Sequence, residues 1–181
     1  MAMHTQDRAR NPINGGQAMP GLGSDFDIAW GIAPVNLATG ANTGMRQYLG
    51  GLREVGVLYL GAAGAAAEPP VLTLRQHTAS TGGSSANWAV VTEFWRKSEA
   101  TLDNDEGWSY QTQAAAATVT GQAQVEQMIY FAVKPTQLTA GPYMSVDIAD
   151  AGTGPMLGTV IYILGGMDTR DLGQNMPIPL R

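Results

Sequence analysis

The run from Val125 to Gly166, VEQMIYFAVKPTQLTAGPYMSVDIADAGTGPMLGTVIYILGG, constrains this chain more than any other feature, because it sets out three apolar segments divided by Gly/Pro turns. Val125, Ile129, Phe131 and Val133 alternate with more polar neighbours, and Met144, Val146 and Ile148 do the same against Ser145 and Asp147. That is the period of a half-buried strand. The third segment, Leu157 to Leu164, is apolar on both faces, which predicts a central strand of a packed β-sandwich rather than a solvated edge. No nucleophile, metal cluster or phosphate loop is concentrated beside the run, so it points to a protein that works by shape and contact.

Upstream, Phe26, Ile28, Trp30 and Ile32 alternate with Asp27, Ala29 and Gly31, giving a first strand with Trp30 on its inward register. Met45, Tyr48, Leu49 and Leu52 fall at helical spacing, but Gly50 and Gly51 would each cost roughly 1 kcal/mol in a helix, so a short one at most is expected. VGVLYL (55–60) reads as a buried strand, and VLTLRQHT continues with Leu72 and Leu74 inward. Trp88, Val90 and Phe94 resume alternation, Trp108 and Tyr110 share one face, and Trp108 is assigned to the core with Trp30 and Trp88. From Ala114 to Thr120 alanines favour helix while Thr-Val-Thr favours strand. Eight strands at fairly regular spacing suit a mainly β, jelly-roll-like antiparallel sandwich over residues 25–166. Residues 1–24 read as an extended N-terminal arm and residues 167–181, with two prolines near the end, as an extended C-terminal tail.

At 181 residues the chain suits one well-buried core rather than two domains. Charged residues make up only 14%, against roughly 25% in an average soluble protein, so part of the surface is expected to face protein. Net charge is −5, and only Arg96 and Lys97 are adjacent among the basic residues, which argues against direct binding of nucleic acid. There is no cysteine, so stability must come from burial and assembly. The first thirty residues lack an apolar signal-peptide core and no apolar stretch reaches the roughly 20 residues of a membrane span, so synthesis in a cytoplasm without membrane insertion is expected.

Tests for chemistry come out weak. His4 lies in the arm, and His77 shares a strand face with Arg75 opposite Leu72 and Leu74, which predicts a solvated or hydrogen-bonded imidazole rather than a catalytic one. Asp103, Asp105 and Glu106 in DNDEG lack the glycine and closing glutamate of a calcium loop, so a solvated acidic turn is expected. TGGSSAN (81–87) lacks a G-x-S-x-G elbow, and its glycines read as turn formers. No catalytic, cofactor-binding or metal residue is assigned. The candidate interface residues are instead Ile13, Met19 and Leu22 on the arm, Met176, Ile178 and Leu180 on the tail, and Trp95, which lies with Glu93 and Lys97 on the outward register of its strand.

Several stretches between Val55 and Arg170 together resemble the head decoration, or capsid cement, proteins of tailed bacteriophages: VGVLYLGAAGAA, VLTLRQHTASTGGSSAN, TEFWRK, GWSYQTQAAAATVT, VEQMIYFAVKPTQL, GPYMSVDIADAG and LGTVIYILGGMDTR. The resemblance is one of layout and covers about two thirds of the chain. It implies a small β-sandwich, a homotrimer, seated on the exterior of an icosahedral shell where it binds the major capsid protein and clamps neighbouring capsomers. It carries no catalytic residue across. A tail-associated virion protein and a carbohydrate-binding sandwich using Trp95 or Trp108 are the alternatives.

Overall fold

Alternating apolar residues give each strand one face to bury, and two sheets that press such faces together remove both from water. The computed structural model describes residues 26–65, 68–103 and 107–166, and it places eleven strands among them in two antiparallel sheets. The larger sheet has the order β1 (Phe26–Asn36), β11 (Leu157–Gly165), β3 (Glu54–Gly61), β9 (Glu126–Val133), β6 (Val91–Glu99) and β7 (Ser109–Ala116). The smaller runs β2 (Gln47–Tyr48), β10 (Tyr143–Ile148), β4 (Val71–His77) and β5 (Ser85–Asn87), with β8 (Thr118–Thr120) also paired to β4. The chain is thus mainly β and sandwich-like, as its periodicity predicts.

The connectivity has a simple logic. Strands from the first half of the domain pair with strands from the second: β1 with β11, β2 with β10, β3 with β9, and β4 with β5. A long antiparallel hairpin of four such pairs has then been rolled up, so that β11 also pairs with β3 and β10 with β4. Strands β6, β7 and β8 are inserted between β5 and β9, and β6–β7 extend the larger sheet beyond β9.

The core lies between the sheets. Val55, Val57, Tyr59, Ile129, Phe131, Val133, Val160 and Tyr162 point inward from the larger sheet, and Leu72, Leu74, Met144, Val146 and Ile148 from the smaller. β11 is central, flanked by β1 and β3, as its doubly apolar sequence predicts. Tyr162 joins the sheets, for its hydroxyl accepts from the Val146 N–H at 2.9 Å and donates to the Met45 carbonyl at 3.2 Å. Burial raises the pKa of this phenol well above its ordinary value, keeping it neutral and able to donate.

Four sequence expectations are corrected. The segment 45–52 forms no helix: β2 pairs with β10, and the Leu49 N–H is taken by the Pro142 carbonyl at 2.9 Å, so sheet pairing overrides the helical spacing. The strand count rises from eight to eleven because short pieces such as β2, β5 and β8 carry no periodic signal of their own. Trp30 is 52% exposed rather than inward. Register explains this: Trp30 pairs with Ile161 and Ile32 with Val160, so Gly31 is one residue extra on β1. That bulge inverts the phase, leaving Ile32 inside and Ile28 and Trp30 outside. Trp108, at 45% exposure, is likewise outside, because Tyr110 pairs with the outward Trp95 and Trp108 follows the same face. The ambiguous tract at 114–120 is strand throughout apart from Ala117, since pairing with β6 and β4 decides it.

Ile13, Met19, Leu22, Met176, Ile178 and Leu180, with the rest of the arm and tail, lie outside the described residues, as do Asn104 to Glu106 of the acidic turn.

Candidate functional site: two unlike outer faces

Each sheet has an outer face as well as an inner one, and the two outer faces differ in chemistry. On the smaller sheet the outward residues of β4 and β10 are Thr73, Arg75, His77, Tyr143, Ser145 and Asp147, which pair across the two strands. Arg75, His77, Ser145 and Asp147 among them form a continuous polar network. Asp147 Oδ1 accepts from Ser145 Oγ at 3.2 Å and from the Gly44 N–H at 2.9 Å, while Oδ2 meets Arg75 at 3.2 Å. His77 Nε2 lies 2.8 Å from Ser145 Oγ, and Nδ1 lies 2.7 Å from Ser85 Oγ.

A carboxylate only accepts, which orders the whole chain of hydrogen bonds. Ser145 donates to Asp147, so it accepts from Nε2–H of His77, and in the neutral ring that the lowered pKa favours, Nδ1 then accepts from the Ser85 hydroxyl. The imidazole is neutral and fully partnered, with only 3% of its surface exposed. It is hydrogen-bonded, as one of the two sequence alternatives holds, and not solvated. An exposed serine beside an imidazole has the outline of a nucleophile and its base. Here, however, Asp147 reaches the ring only through the buried Ser145, and Arg46 lies over the same end, bonding the Ala79 and Gly82 carbonyls and lying 3.5 Å from Ser85 Oγ. The network ties β4, β5, β10 and the segment before β2 into one unit, and we assign it to structure.

Burial lowers the pKa of His77, reinforced by the nearby Arg46 and Arg75 and opposed by Asp147. A base whose folded pKa lies below its ordinary 6.5 takes up its proton first in the unfolded chain, so stability is complete above that value and is lost as pH falls through the folded pKa. A thermal melt should therefore show a midpoint that begins to fall below about pH 6.5. In His77→Gln this part of the decline should be missing; an identical pH profile for both proteins would remove His77 from the account.

The larger sheet is the opposite case. Register places Trp30, Ile161, Leu58, Tyr130, Trp95 and Tyr110 in one row that crosses all six strands, from β1 to β7, on the face away from the core. Trp30 and Tyr110 at its two ends are 52% and 53% exposed, and the four between them are half-buried against one another. Trp95 packs against both tyrosines, with ring centroids 5.3 Å from Tyr110 and 6.0 Å from Tyr130. The Tyr130 ring lies over Gly56, where any Cβ would come within 2.8 Å of it, so the glycine leaves the room that the ring fills.

Further outward rows flank this one. Ile28, Ile163, Gly56 and Ala132 lie on one side, continued by Glu93 on β6. Thr159, Leu60, Met128 and Lys97 lie on the other, with the Lys97 ammonium 5.5 Å from the Trp108 ring centroid. A shallow recess lined by Pro34, Leu60, Leu102, Met128 and Leu157, with Glu126, Gln127 and Thr159 also on its walls, adjoins this surface. Charge lies at the margins: Glu54 on β3 and Glu126 on β9 stand one row further out, and on β6 the Tyr110 hydroxyl donates to Glu93 at 2.6 Å, a bond that raises the pKa of this phenol.

Six strands at ~4.8 Å spacing and three rows at ~6.7 Å make a face on the order of 500 Å². That is near the top of the range for the largest apolar patch on an ordinary monomer, and such patches mark sites of contact. Of the interface residues expected from sequence, Trp95 sits in this face as its outward register predicts. Ile28, Trp30, Leu58, Tyr130, Ile161 and Tyr110 were missed as surface residues. An apolar strand reads the same whether its second face is packed or exposed, and only the pairing register reveals the row.

Comparison of the chain with protein-family models, with curated proteins and with solved structures returned no match.

Proposed function

We propose that this chain is a structural subunit of a tailed-bacteriophage particle, a capsid decoration protein that binds the lattice of the major capsid protein from outside and stabilises the head. The observation that carries this reading is the apolar aromatic row spanning the larger sheet, because a face of that size and composition favours contact with protein over contact with water. The rolled-hairpin pairing of β1–β11, β2–β10, β3–β9 and β4–β5 supports it further, since we read it as a jelly roll, an architecture of viral capsid and lectin domains. Fold alone does not set function. The layout of the sequence between residues 55 and 170 adds the phage resemblance.

In this reading the sandwich is a stiff body, and the arm (1–24) and tail (167–181) make most of the contacts between subunits, by main-chain addition to neighbouring strands. Repetition over a symmetric lattice turns weak individual contacts into stable occupancy. The test is to add the purified chain to tailed-phage heads that lack a decoration protein and to image them at subunit resolution. Ordered density on the head exterior, lost when residues 1–24 are deleted, is the expected result. Density along the tail, or none on any particle, would overturn the assignment to the head.

One observation favours a second reading. Trp108 and Tyr110 are exposed side by side at the β7 edge, next to Trp95, and aromatic platforms of that kind stack on sugar rings. A glycan-array signal that disappears in Trp108→Ala would support a carbohydrate-binding module.

A further inference from the structure

The apolar row on the larger sheet is flanked by residues whose sizes and charges match under one particular symmetry operation. We propose that two copies of the chain pack these faces together about a two-fold axis that runs along the row, from Trp30 to Tyr110. The proposal rests on reading this face as a contact surface, and it does not depend on the particle to which the protein binds.

Such an axis reverses strand direction and exchanges the two flanking rows. On β3, Gly56 and Leu60 lie two residues to either side of Leu58; on β9, Ala132 and Met128 lie likewise about Tyr130; on β6, Glu93 and Lys97 lie about Trp95. Stacking therefore sets the Tyr130 ring that covers Gly56 against the partner's Leu60, Ala132 against the partner's Met128, and Glu93 against the partner's Lys97. Ala132, small and exposed, receives the larger Met128. Each charge on the face receives its opposite, twice per dimer, and an isologous contact requires this kind of self-complementarity. Each residue of the central row meets its own counterpart across the axis, where no charge lies.

Area agrees with this occupant. Two faces of on the order of 500 Å² remove about 1,000 Å² together, the lower limit for a specific interface. A partner of different sequence would need its own match to the Ala132/Met128 and Glu93/Lys97 pattern, whereas a second copy already has one.

The experiment is sedimentation of the full chain over about 1–100 µM, a range suited to an interface of this size. Wild type should show the mass of two chains at the upper end. Lys97→Glu places like charges over Glu93, and Glu93→Lys over Lys97, so each single change should weaken pairing by about tenfold or more. The double swap, Glu93→Lys with Lys97→Glu, should restore pairing to within about threefold of wild type. Leu58→Asp brings two carboxylates together on the axis and should give one-chain mass with an unchanged circular dichroism spectrum. A wild-type mass of one chain, a mass of three chains, single changes without effect, or a swap that fails to rescue would each overturn the proposal. Failure here together with continued binding to heads would leave the decoration reading standing, while dimers that bind no particle would do the reverse.

Discussion

Trp88→Ala is expected to destabilise the fold by about 3–5 kcal/mol, the usual cost of emptying a large aromatic site in a packed core. Trp88 stands where the chain leaves β5 for β6 and so crosses from one sheet to the other. It is only 2% exposed, its backbone N–H bonds the Leu74 carbonyl at 3.0 Å, and its indole N–H bonds the Gln137 carbonyl at 3.0 Å. Alanine keeps the first bond, removes the second and leaves the Gln137 carbonyl without its donor. Domain stabilities are about 5–15 kcal/mol, so the loss is a large part of the total. A chemical denaturation curve should show a lower midpoint with little change in slope, and the melting temperature should drop by about 10 °C. Trp88→Phe, which retains most of the volume, should recover more than half of the loss; if the two variants are equal, the hydrogen bond and not the packing is the main term.

Gly44→Ala is expected to cost about 3 kcal/mol, at the upper end for overpacking, although only one methyl group is added. A Cβ on Gly44 would fall inside the contact radius of the Val146 carbonyl oxygen and 2.9 Å from its carbonyl carbon, and both are backbone atoms of β10 that cannot rotate away. Relief requires moving the segment that laces β10 to β1. Asn42 exchanges two backbone bonds with Ile148, at 2.8 and 2.9 Å, the Gly44 N–H bonds Asp147, and the Met45 N–H bonds the Gly31 carbonyl at 2.7 Å. Displacement strains all of them and draws Asp147 out of the network that holds His77. The control is Gly107→Ala, where an added Cβ meets open space and the melting temperature should stay within a degree or two. If Gly44→Ala melts like the control, the segment is looser than its hydrogen bonds imply.

Much of the sandwich was legible before any coordinates, and for a clear reason. The inward residues of β3, β4, β9, β10 and β11 repeat every second position, and that period survives in the linear string. β1 was read correctly as a strand and incorrectly in its phase, because the extra residue at Gly31 shifts the alternation in a way that a period count cannot detect. β2, β5 and β8 are two or three residues long, too short to carry a period, and exist because a neighbouring strand offers them hydrogen bonds.

The outer faces were less legible. Arg75 and His77 were correctly set opposite Leu72 and Leu74, yet the burial of His77 and the pairing of Arg75 depend on Ser85, Ser145, Asp147 and Arg46, which lie up to 72 residues away from Arg75 in the chain. Trp95 was correctly set outward. Its neighbours Tyr110 and Tyr130 come from β7 and β9, and nothing in local sequence marks them as its companions.

What the amino-acid order by itself determined is that strands form here and which side chains share a strand face, since both follow from backbone geometry and a two-residue period within a single segment. Which of the two faces of each strand meets the core, and hence whether a tryptophan is packed inside or presented to a partner, was decided only by the tertiary structure. The reason is that registry between strands, and a single bulged glycine, join segments that are distant in the chain, and the energy of that pairing belongs to no one of them.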